Sequence, residues 1–411
     1  MKILVLNSGS SSQKTNLYEI AGAPPENPPE PLWQSTVEWN ADQAEMRVAT
    51  STGVKLKEDL KAQSRDQALE PVLETLWSGN TRVISSPSEI QVVGHRVVNG
   101  GPTFEQPTMI TPEVKAAIAR MSVFAPLHNR AELEGMDFIE KRFGPVPQVA
   151  VFDTGFHSRM PEPAFVYPGP YEWLAQGIRR YGFHGINHQY CSERAAQLLG
   201  RDVHSLKLVT CHLGNGCSLA AIQNGRSIDT TMGFTPLEGL MMGTRSGSVD
   251  PGILTYLMRQ GNATGEQLDD LLNKKSGLLG ISGTSGDMRQ IVASMKAGQA
   301  RAKLAFDIFI HRLRSAIGAM IASLGGIDTL VFTAGIGENS AEVRAATCAN
   351  FEYLRLKLDP EKNAHSPQDQ DIATRDSAVR ILIIRAQEDW AIARASWRLT
   401  SPKSAPRPAD C

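Results

Sequence analysis

Short apolar runs alternate along the chain with longer segments in which apolar residues recur at helical spacing. Apolar runs bounded by turn residues predict buried strands, and helical spacing predicts amphipathic helices. The predicted strands are 3–6, 16–20, 90–98, 146–152, 206–213, 218–222, 328–332 and 379–384. The predicted helices are 129–142, 186–199, 251–260, 302–324 and 340–347. Strands and helices mixed over this length favour the α/β class.

One strand–turn–strand plan occurs twice. Residues 3–20 pass from an apolar strand through a turn of Gly, Ser and Asn into a second strand, and residues 207–222 repeat the plan around the turn HLGNG. The repeat predicts two similar domains, each offering a glycine turn to the phosphates of a nucleotide. Ordinary α/β proteins also contain several strand–glycine–strand turns, which is the alternative explanation.

Two segments interrupt this pattern. The proline-rich segment AGAPPENPPEP, residues 21–31, cannot continue a strand or helix interior and predicts an exposed hairpin loop. The segment SPKSAPRPADC, residues 401–411, predicts a disordered tail.

The composition is that of an ordinary soluble protein. The 411 residues are 41% hydrophobic and 21% charged with a net charge of −1, which leaves room for two domains and lacks the basic excess of a nucleic-acid binder. Five cysteines without framework spacing favour a reducing compartment. The N-terminal apolar run is too short for a signal peptide, and segment 304–326 carries charges. We therefore expect a cytoplasmic protein without a membrane span.

The stretch NSGSSSQK, residues 7–14, leaves the first strand with turn-forming residues. Those residues fit either a plain hairpin or a phosphate-binding loop. The chain has no GK dipeptide and hence no Walker A loop, and no G-x-G-x-x-G opens a helix. The turn GIGENSAEVR, residues 335–344, follows a strand and predicts a helix start with a capping box of Asn339 and Glu342. Its glycines fit either the approach of a flat ring or a simple helix start.

Two histidine and cysteine patterns resemble metal sites only superficially. Cys211 and Cys217 flank the turn HLGNG without a second ligand pair at finger spacing. His184 and His188 have the spacing of a helical zinc pair but lack the glutamate that follows the first histidine of metalloproteases. We therefore predict no metal at either place.

Arginines and carboxylates at strand ends suggest a different chemistry. Arg96 interrupts an apolar strand, and Arg245 lies in the glycine-spaced loop LMMGTRSGSVDPG, where its planar fork could hold a carboxylate or a phosphoryl group. Asp153 and Glu388 directly follow strands, where site residues of open α/β sheets lie. A core ion pair for Arg96 and a helix-dipole role for Glu388 are the alternatives. Without a nucleophile–base triad, the set suits phosphoryl transfer.

Eight motifs together resemble the acetate kinase family, within the superfamily of sugar kinases and actin-like ATPases. The resemblance spans residues 2–397, and the long block at 229–252 is its most specific part. The motifs are NSGSSSQK (7–14), GHRVVNGG (94–101), FDTGFH (152–157), RRYGFHG (179–185), HLGNGCS (212–218), DTTMGFTPLEGLMMGTRSGSVDPG (229–252), SGDMR (285–289) and AGIGEN (334–339).

The resemblance implies a role for each motif. It places Asn7 and Glu388 at Mg²⁺ or Mn²⁺, although the neighbouring Asp389 makes the second assignment ambiguous. It implies that the catalytic residues are Asp153, His184, Arg245, Arg96 and Asn7. The residues implied to bind acetate are Arg96, Val98, Leu127, Phe183 and Pro236. The residues implied to bind ATP or ADP are Ser10, Ser12, Lys14, His212, Leu213, Gly214, Asn215, Gly216, Asp287, Met288, Arg289, Gly335, Ile336, Gly337, Glu338 and Asn339.

The resemblance also implies the architecture and the reaction. We expect two duplicated actin-like, ribonuclease H-like domains with a nucleotide-binding cleft between them, one of residues 1–150 plus 386–400 and one of 151–385. The implied reaction is reversible in-line transfer of the γ-phosphoryl group of ATP to acetate, with some activity on propionate and a place in acetyl-CoA biosynthesis. The implied assembly is a homodimer that binds neither nucleic acid nor membrane. A short-chain acyl kinase, an actin-like ATP switch and a non-catalytic scaffold are the rival interpretations.

Overall fold

The computed structural model describes residues 1–9, 12–40, 43–62, 65–122, 126–261, 263–365 and 368–401. Apart from Ser401, the predicted tail 401–411 lies outside these residues. The strands are β1 (Lys2–Ser8), β2 (Ser12–Glu19), β3 (Trp33–Asn40), β4 (Gln43–Thr50), β5 (Lys55–Leu60), β6 (Val92–Val97), β7 (Thr108–Met109), β8 (Gln148–Phe152), β9 (Lys207–Leu213), β10 (Cys217–Gln223), β11 (Arg226–Thr230), β12 (Thr329–Thr333), β13 (Gln370–Asp371) and β14 (Arg380–Ile383). The helices are α1 (Arg65–Glu74), α2 (Pro112–Met121), α3 (Pro126–Phe143), α4 (Glu162–Phe165), α5 (Glu172–Ala175), α6 (Gly185–Leu199), α7 (Pro251–Arg259), α8 (Gly265–Lys274), α9 (Gly277–Ser282), α10 (Met288–Lys296), α11 (Ala300–Leu324), α12 (Ala334–Asn339), α13 (Ala341–Cys348), α14 (Pro360–His365) and α15 (Glu388–Thr400).

Contacts within the chain define two compact units. Unit 1 comprises Met1–Gly155 and the chain from Gln387 onward, and unit 2 comprises Phe156–Ala386. The α/β class predicted from the sequence is confirmed, since each unit has one mixed sheet with helices packed on it. That the units fold as separate domains stays a prediction.

The two sheets share one plan. In unit 1, β3, β2 and β1 are antiparallel neighbours, and β6 and then β8 continue the sheet parallel to β1. In unit 2, β11, β10 and β9 are antiparallel neighbours, and β12 and then β14 continue parallel to β9. The strand–turn–strand repeat seen in the sequence is therefore the same β1–β2 and β9–β10 hairpin in two sheets.

The described residues of the stretch NSGSSSQK are 7–9 and 12–14, and all but Gly9 belong to the antiparallel pair of β1 and β2. Asn7 pairs with Lys14 and Ser8 with Gln13 in the antiparallel register of β1 and β2, and the Gly9 N–H donates to the Ser12 carbonyl. The proline-rich segment 21–31 is mostly exposed and joins β2 to its antiparallel neighbour β3, which confirms the predicted hairpin loop.

Several elements were not predicted from the apolar runs. Strands β3, β4 and β5 extend the sheet of unit 1 outward from β2, and their apolar residues alternate with polar ones. The predicted capping box at Asn339 is wrong. The sequence AGIGEN is itself a short helix, and the side chain of Ser340, not Asn339, accepts the N–H of Val343 at the start of α13.

No helix of the described residues is long and apolar enough to cross a membrane. The longest of them, α11, places a row of buried apolar residues against β10 and α13. Its charged residues are mostly exposed.

Two histidines are buried in the cores of the units. The Nε2 of His95 lies 2.8 Å from Gln148 Oε1 in unit 1, and the Nδ1 of His157 lies 2.7 Å from Ser227 Oγ in unit 2. Burial lowers the pKa of each imidazole to about 4. Since these rings are neutral when folded and titrate normally when unfolded, the unfolded chain binds more protons between pH 6.5 and 4.

The free energy of unfolding should therefore fall as the pH is lowered from 6.5 towards 4. Each buried histidine contributes a slope of up to about 1.4 kcal/mol per pH unit. Urea unfolding at pH 7, 6 and 5 measures this slope, and His95→Gln should make it shallower even though the replacement lowers stability at every pH. Equal slopes in the two proteins would show that His95 does not titrate on unfolding.

Candidate functional site

In unit 1, polar residues meet where parallel strands end. Asn7 lies near the end of β1, Arg96 near the end of β6, and Asp153 directly after β8. Arg96 donates from Nε to both oxygens of Asp153 at 3.2 Å and from Nη2 to Oδ2 at 2.6 Å. Its Nη1 donates to Asn7 Oδ1 at 3.2 Å. The structure thus brings these three predicted residues together at one edge of the sheet.

Helix α15 brings two carboxylates to the same edge. Asn7 Nδ2 donates to Glu388 Oε2 at 3.2 Å and to Asp389 Oδ1 at 2.8 Å. The helix packs on β1 and β6, and the Cβ of any larger residue at Gly94 would lie 2.6 Å from Ser396 Oγ. The close fit at Gly94 therefore fixes where the first turn of α15 places its carboxylates. Both Glu388 and Asp389 face Asn7, so the structure does not single out one of them.

The charges in this cluster shift one another's ionisation. Burial lowers the pKa of Arg96, but the carboxylates of Asp153 and Glu388 outweigh burial, and the net pKa is raised. Burial raises the pKa of Asp389, while Lys14 and the hydrogen bond from Asn7 oppose that rise. Arg96 therefore stays a cation, and Asp389 is an acid whose charge depends on the cations around it.

The oxygen donors of this cluster suit a hard divalent cation only in part. Among the described residues, no group of three or more His, Cys, Asp or Glu has the geometry of a metal site. Mg²⁺, however, is usually held by one or two carboxylates, its other positions being filled by water and substrate phosphates. Glu388 and Asp389 with Asn7 fit that second pattern.

The other residues predicted in unit 1 lie outside this charged cluster or at its border. Lys14 is exposed on β2 opposite Asn7, and Ser12 is half-buried, while Ser10 lies outside the described residues. Val98 is buried, and its N–H donates to both oxygens of Glu132 at 3.1 and 3.2 Å. Glu132, a buried carboxylate on α3, was not among the predicted residues. Leu127 lies in α3, and its side chain is outside the described part of the chain.

In unit 2, two imidazoles stack beside the second glycine turn. The rings of His184 and His212 lie 4.0 Å apart and nearly parallel. His184 adopts a left-handed backbone conformation with a φ of 57° at the start of α6. A Cβ added to Gly216 would lie 3.4 Å from His184 Nε2 and from Arg245 Nη1. Because Gly216 has no side chain, the two donors approach its backbone closely, which suits an anion.

The substrate residues predicted in unit 2 lie near this turn. Arg245 Nη1 donates to the carbonyl of Pro236 at 3.2 Å, and Phe183, which precedes His184, is buried. Arg180 holds the same loop, since its Nη1 donates to the carbonyls of Thr230, Thr231 and Met232, each at 3.1 Å. The block 229–252 is therefore anchored at its beginning and carries Arg245 at its far end.

A cavity of about 770 Å³ lies next to the glycine turn in unit 2. It collects predicted residues from three separate motifs of the sequence. The predicted residues that line it are Gly214, Asn215, Asp287, Met288, Arg289, Gly335, Ile336 and Asn339. Four further lining residues were not predicted: Gly286, Val292, Ser340 and Glu342. The cavity is large enough for a nucleoside.

Not every predicted nucleotide residue lines this cavity. Leu213 and Gly337 are buried, and Glu338 accepts the N–H of Ala386 at 2.8 Å. Burial raises the pKa of Glu338, and that hydrogen bond opposes the rise. Arg344 is buried and donates at 2.8 Å to the carbonyls of Gly337 and Glu338. It thereby holds the end of α12, whose residues form one wall of the cavity.

Comparison with known proteins decides the family. The family model described as the acetokinase family matches residues 2–394. The chain belongs to the acetokinase family. It is 62% identical to the acetate kinase of Cyanothece sp. over 406 residues, covering 98% of this chain and 100% of that one.

Solved structures agree with this assignment. The acetate kinase of Porphyromonas gingivalis matches with a TM-score of 0.88 at 40% identity, covering 97% of this chain and 99% of that one. The propionate kinase of Francisella tularensis matches with a TM-score of 0.87 at 37% identity and the same coverage. The family suggested by the eight motifs is confirmed, and so is its fold. As an acetokinase the chain is an enzyme, a phosphotransferase with a carboxyl group as acceptor.

Replacement of Gly94 by alanine should disturb the unit 1 cluster through α15. The added methyl group would meet Ser396 and Ile392 at under 3 Å, and such overpacking costs about 2 kcal/mol. Unfolding in urea should show this loss, and activity should fall as Glu388 and Asp389 are displaced from Asn7. Gly265→Ala is the matched control, because an alanine there meets open space. Wild-type stability of Gly94→Ala would contradict the close fit.

Proposed function

We propose that this acetokinase transfers the γ-phosphoryl group of ATP to acetate, reversibly and in line, giving acetyl phosphate and ADP. Acetate is ionised at neutral pH, so the acceptor oxygen needs no general base. What remains for the protein is to hold the reactants in line and to neutralise the charge that spreads over the transferring phosphoryl group.

The observation that carries the proposal is the meeting of His184, Arg245 and Gly216 in unit 2. Two donor side chains converge on a backbone that lacks a side chain, next to a cavity of nucleoside size. We assign His184 and Arg245 to the oxygens of the phosphoryl group in flight, and His212 with the turn 214–216 to the nucleotide phosphates. The cavity takes the adenosine.

Unit 1 supplies the carboxylate and metal side of the proposal. Arg96, held flat by Asp153 and Asn7, keeps Nη1 and Nη2 at the sheet edge, and we assign it to the carboxylate of acetate. Glu388 and Asp389 with Asn7 are proposed to hold Mg²⁺ or Mn²⁺ together with the phosphates. The metal ion, when bound, neutralises phosphate charge. Lys14 and Ser12 are proposed to bind phosphate.

The acceptor pocket is proposed to be small and apolar. Its members stay as predicted: Val98, Leu127, Phe183 and Pro236. An extra methylene changes binding by only about 1–3 kcal/mol, so we expect propionate to react more slowly and not to be excluded. The similarity to a propionate kinase supports this expectation. We also propose that the enzyme works in the cytoplasm and binds no nucleic acid.

The rival interpretations do not account equally well for the arginines and the glycine turn. An actin-like ATP switch has no use for a guanidinium aimed at a carboxylate, and a scaffold has no use for the glycine turn beside His184. A propionate or other short-chain acyl kinase shares the whole arrangement and differs only in its preferred acid. The first experiment therefore compares acids.

Acyl phosphate formation from ATP, trapped with hydroxylamine, tests the reaction with formate, acetate, propionate and butyrate. We expect the most product from acetate and less from propionate, and a loss of about a hundredfold or more in Arg245→Ala. Arg226→Ala, an exposed arginine on β11, is the matched control and should retain full activity. ATP turnover without acyl phosphate from any acid would refute the kinase proposal in favour of the switch.

We propose a homodimer, supported by helix α7. All residues of this helix are described and none is buried, although Ile253, Tyr256 and Met258 are about half exposed apolar side chains. A helix with several exposed large apolar side chains is typical of a protein contact.

Light scattering on the purified protein should therefore give twice the mass of one chain. Tyr256→Asp should shift the protein towards monomer, because the charge would be buried in the contact. Tyr171→Asp changes an exposed tyrosine outside α7 and is the control. A monomeric wild type, or a Tyr256→Asp variant that stays dimeric, would count against this surface.

A further inference from the structure

A line of buried hydrogen bonds in unit 2 leads to His184. Thr210 Oγ1 lies 2.7 Å from His188 Nδ1, His188 Nε2 lies 2.8 Å from Ser218 Oγ, and Ser218 Oγ lies 2.8 Å from His184 Nδ1. Thr210, His188 and Ser218 are buried to 1% exposure or less. We call these three residues the relay. None of them was among the predicted site residues, and His188 had been considered only as a metal ligand.

The relay has only one arrangement of protons that satisfies every buried donor. Within the described part of the chain, the Thr210 hydroxyl hydrogen-bonds to His188 alone, so it must donate to His188 Nδ1. Burial keeps the pKa of His188 well below its usual value, and the neutral ring then carries its proton on Nε2. That proton is donated to Ser218 Oγ, which leaves the Ser218 hydroxyl to donate to His184 Nδ1. His184 must therefore carry its own proton on Nε2.

A second set of contacts acts on the stacked partner ring. Asn187, next to His188 on α6, lies with Nδ2 2.9 Å from His212 Nδ1, and its Oδ1 accepts the thiol of Cys191 at 3.7 Å. An amide nitrogen can only donate, so His212 Nδ1 is an acceptor and its proton is also on Nε2. One turn of α6 thus sets the protonation of both rings.

We propose that the relay and Asn187 are positioning residues that lock His184 and His212 in the tautomer protonated on Nε2. The hydrogen bond at one imidazole nitrogen determines what the other nitrogen presents. For His184 the second nitrogen is the one beside Gly216, at 3.4 Å from a Cβ placed there.

The inference deepens the proposed function and rests on it for its consequence. A His184 Nε2–H donates to a phosphoryl oxygen, whereas a lone pair at that nitrogen would repel it. The relay also makes protonation of His184 to the cation unfavourable, because an Nδ1–H would leave the Ser218 hydroxyl without an acceptor. The relay therefore provides a neutral donor in fixed orientation, ready before the phosphoryl group arrives.

The protonation itself can be measured on the full-length protein labelled with ¹⁵N in histidine. Two-bond ¹H–¹⁵N spectra at pH 8 distinguish the two neutral tautomers and the cation, and the signals of His184 and His212 are identified by their loss in His184→Gln and His212→Gln. We expect both rings to carry hydrogen on Nε2 only. A proton on Nδ1 of either ring in the wild type would overturn the proposal.

Asn187→Asp is the sharpest variant, because it keeps the shape of the side chain and replaces a donor by an acceptor. A carboxylate beside His212 Nδ1 should draw a proton onto that nitrogen, so the wild-type signal of His212 should disappear. Persistence of the wild-type tautomer in a folded Asn187→Asp protein would show that Asn187 does not set it.

Kinetics give a second readout, which a merely structural role would not produce. Ser218→Ala should lower kcat about tenfold, which is the usual size of an effect when a residue that supports a site residue is removed. The KM values for ATP and acetate should stay roughly unchanged. Ser218→Thr keeps the hydroxyl and should recover most of kcat. Equal losses in both variants, or a full kcat in Ser218→Ala, would overturn the role of the relay.

The two proposals fail separately. If the wild-type enzyme makes no acyl phosphate, the proposed function is lost. The tautomers seen in the spectra still support or refute the relay, because they are read in the protein without substrate.

Discussion

The balance of buried charge around Asn7 is the constraint on which unit 1 depends. Asp153 has no exposed surface, and the side chain of Arg96 beside it is almost as enclosed, so neither charge can rely on water. Arg96 donates hydrogen bonds to Asp153, and Asn7 links this ion pair to the two carboxylates of α15. An unpaired charge in such a place costs several kcal/mol, so the loss of one partner affects the whole group. The ends of β1, β6 and β8, the start of α15 and the protonation of Asp389 therefore depend on one another.

The same sheet plan carries different chemistry in the two units. Asn7 and His212 occupy matching places near the ends of β1 and β9, and their hairpin partners in register are Lys14 and Ser218. In unit 1 the position is occupied by an amide that joins one cation to two carboxylates. In unit 2 it is occupied by an imidazole among neutral hydrogen bonds. The two sheets therefore offer equivalent edges, and the residues at a few strand-end positions make one edge ionic and the other neutral.

Much of this could be predicted from the sequence, and the omissions have physical causes. Buried central strands are continuous apolar runs, so β1, β9 and β12 were visible, whereas β3 and β4 alternate because only one face of each is covered. The family motifs identified Arg96, Asp153, His184 and Arg245, which the structure brings together within their own units. That each of these residues acts as implied stays a prediction.

The residues that were missed support other residues of the two sites, through either the main chain or a side chain. Glu132 and Ser218 each lie 34 residues along the chain from the groups they support, whereas Arg344 lies only six or seven residues from the carbonyls that it holds. All three residue types are common in helices and strands. Asn339 was chosen as a helix cap because Glu342 follows it at capping-box spacing. The short helix α12 ends there and shifts the cap to Ser340 by one residue, a change that only the backbone reveals.

The position of α15 has a consequence for how the protein is made. Asn7 lies 381 residues before its partner Glu388, so the first strand and the last helix must find each other across the entire intervening chain. Once synthesis has passed Asp153, all strands of unit 1 have been made, but α15, which packs on β1 and β6, has not. Unit 2 is continuous in sequence and can fold before α15 packs on these strands. Completion of unit 1 is thus a late event in biosynthesis, and a chain that stops before residue 388 lacks the carboxylates of the cluster.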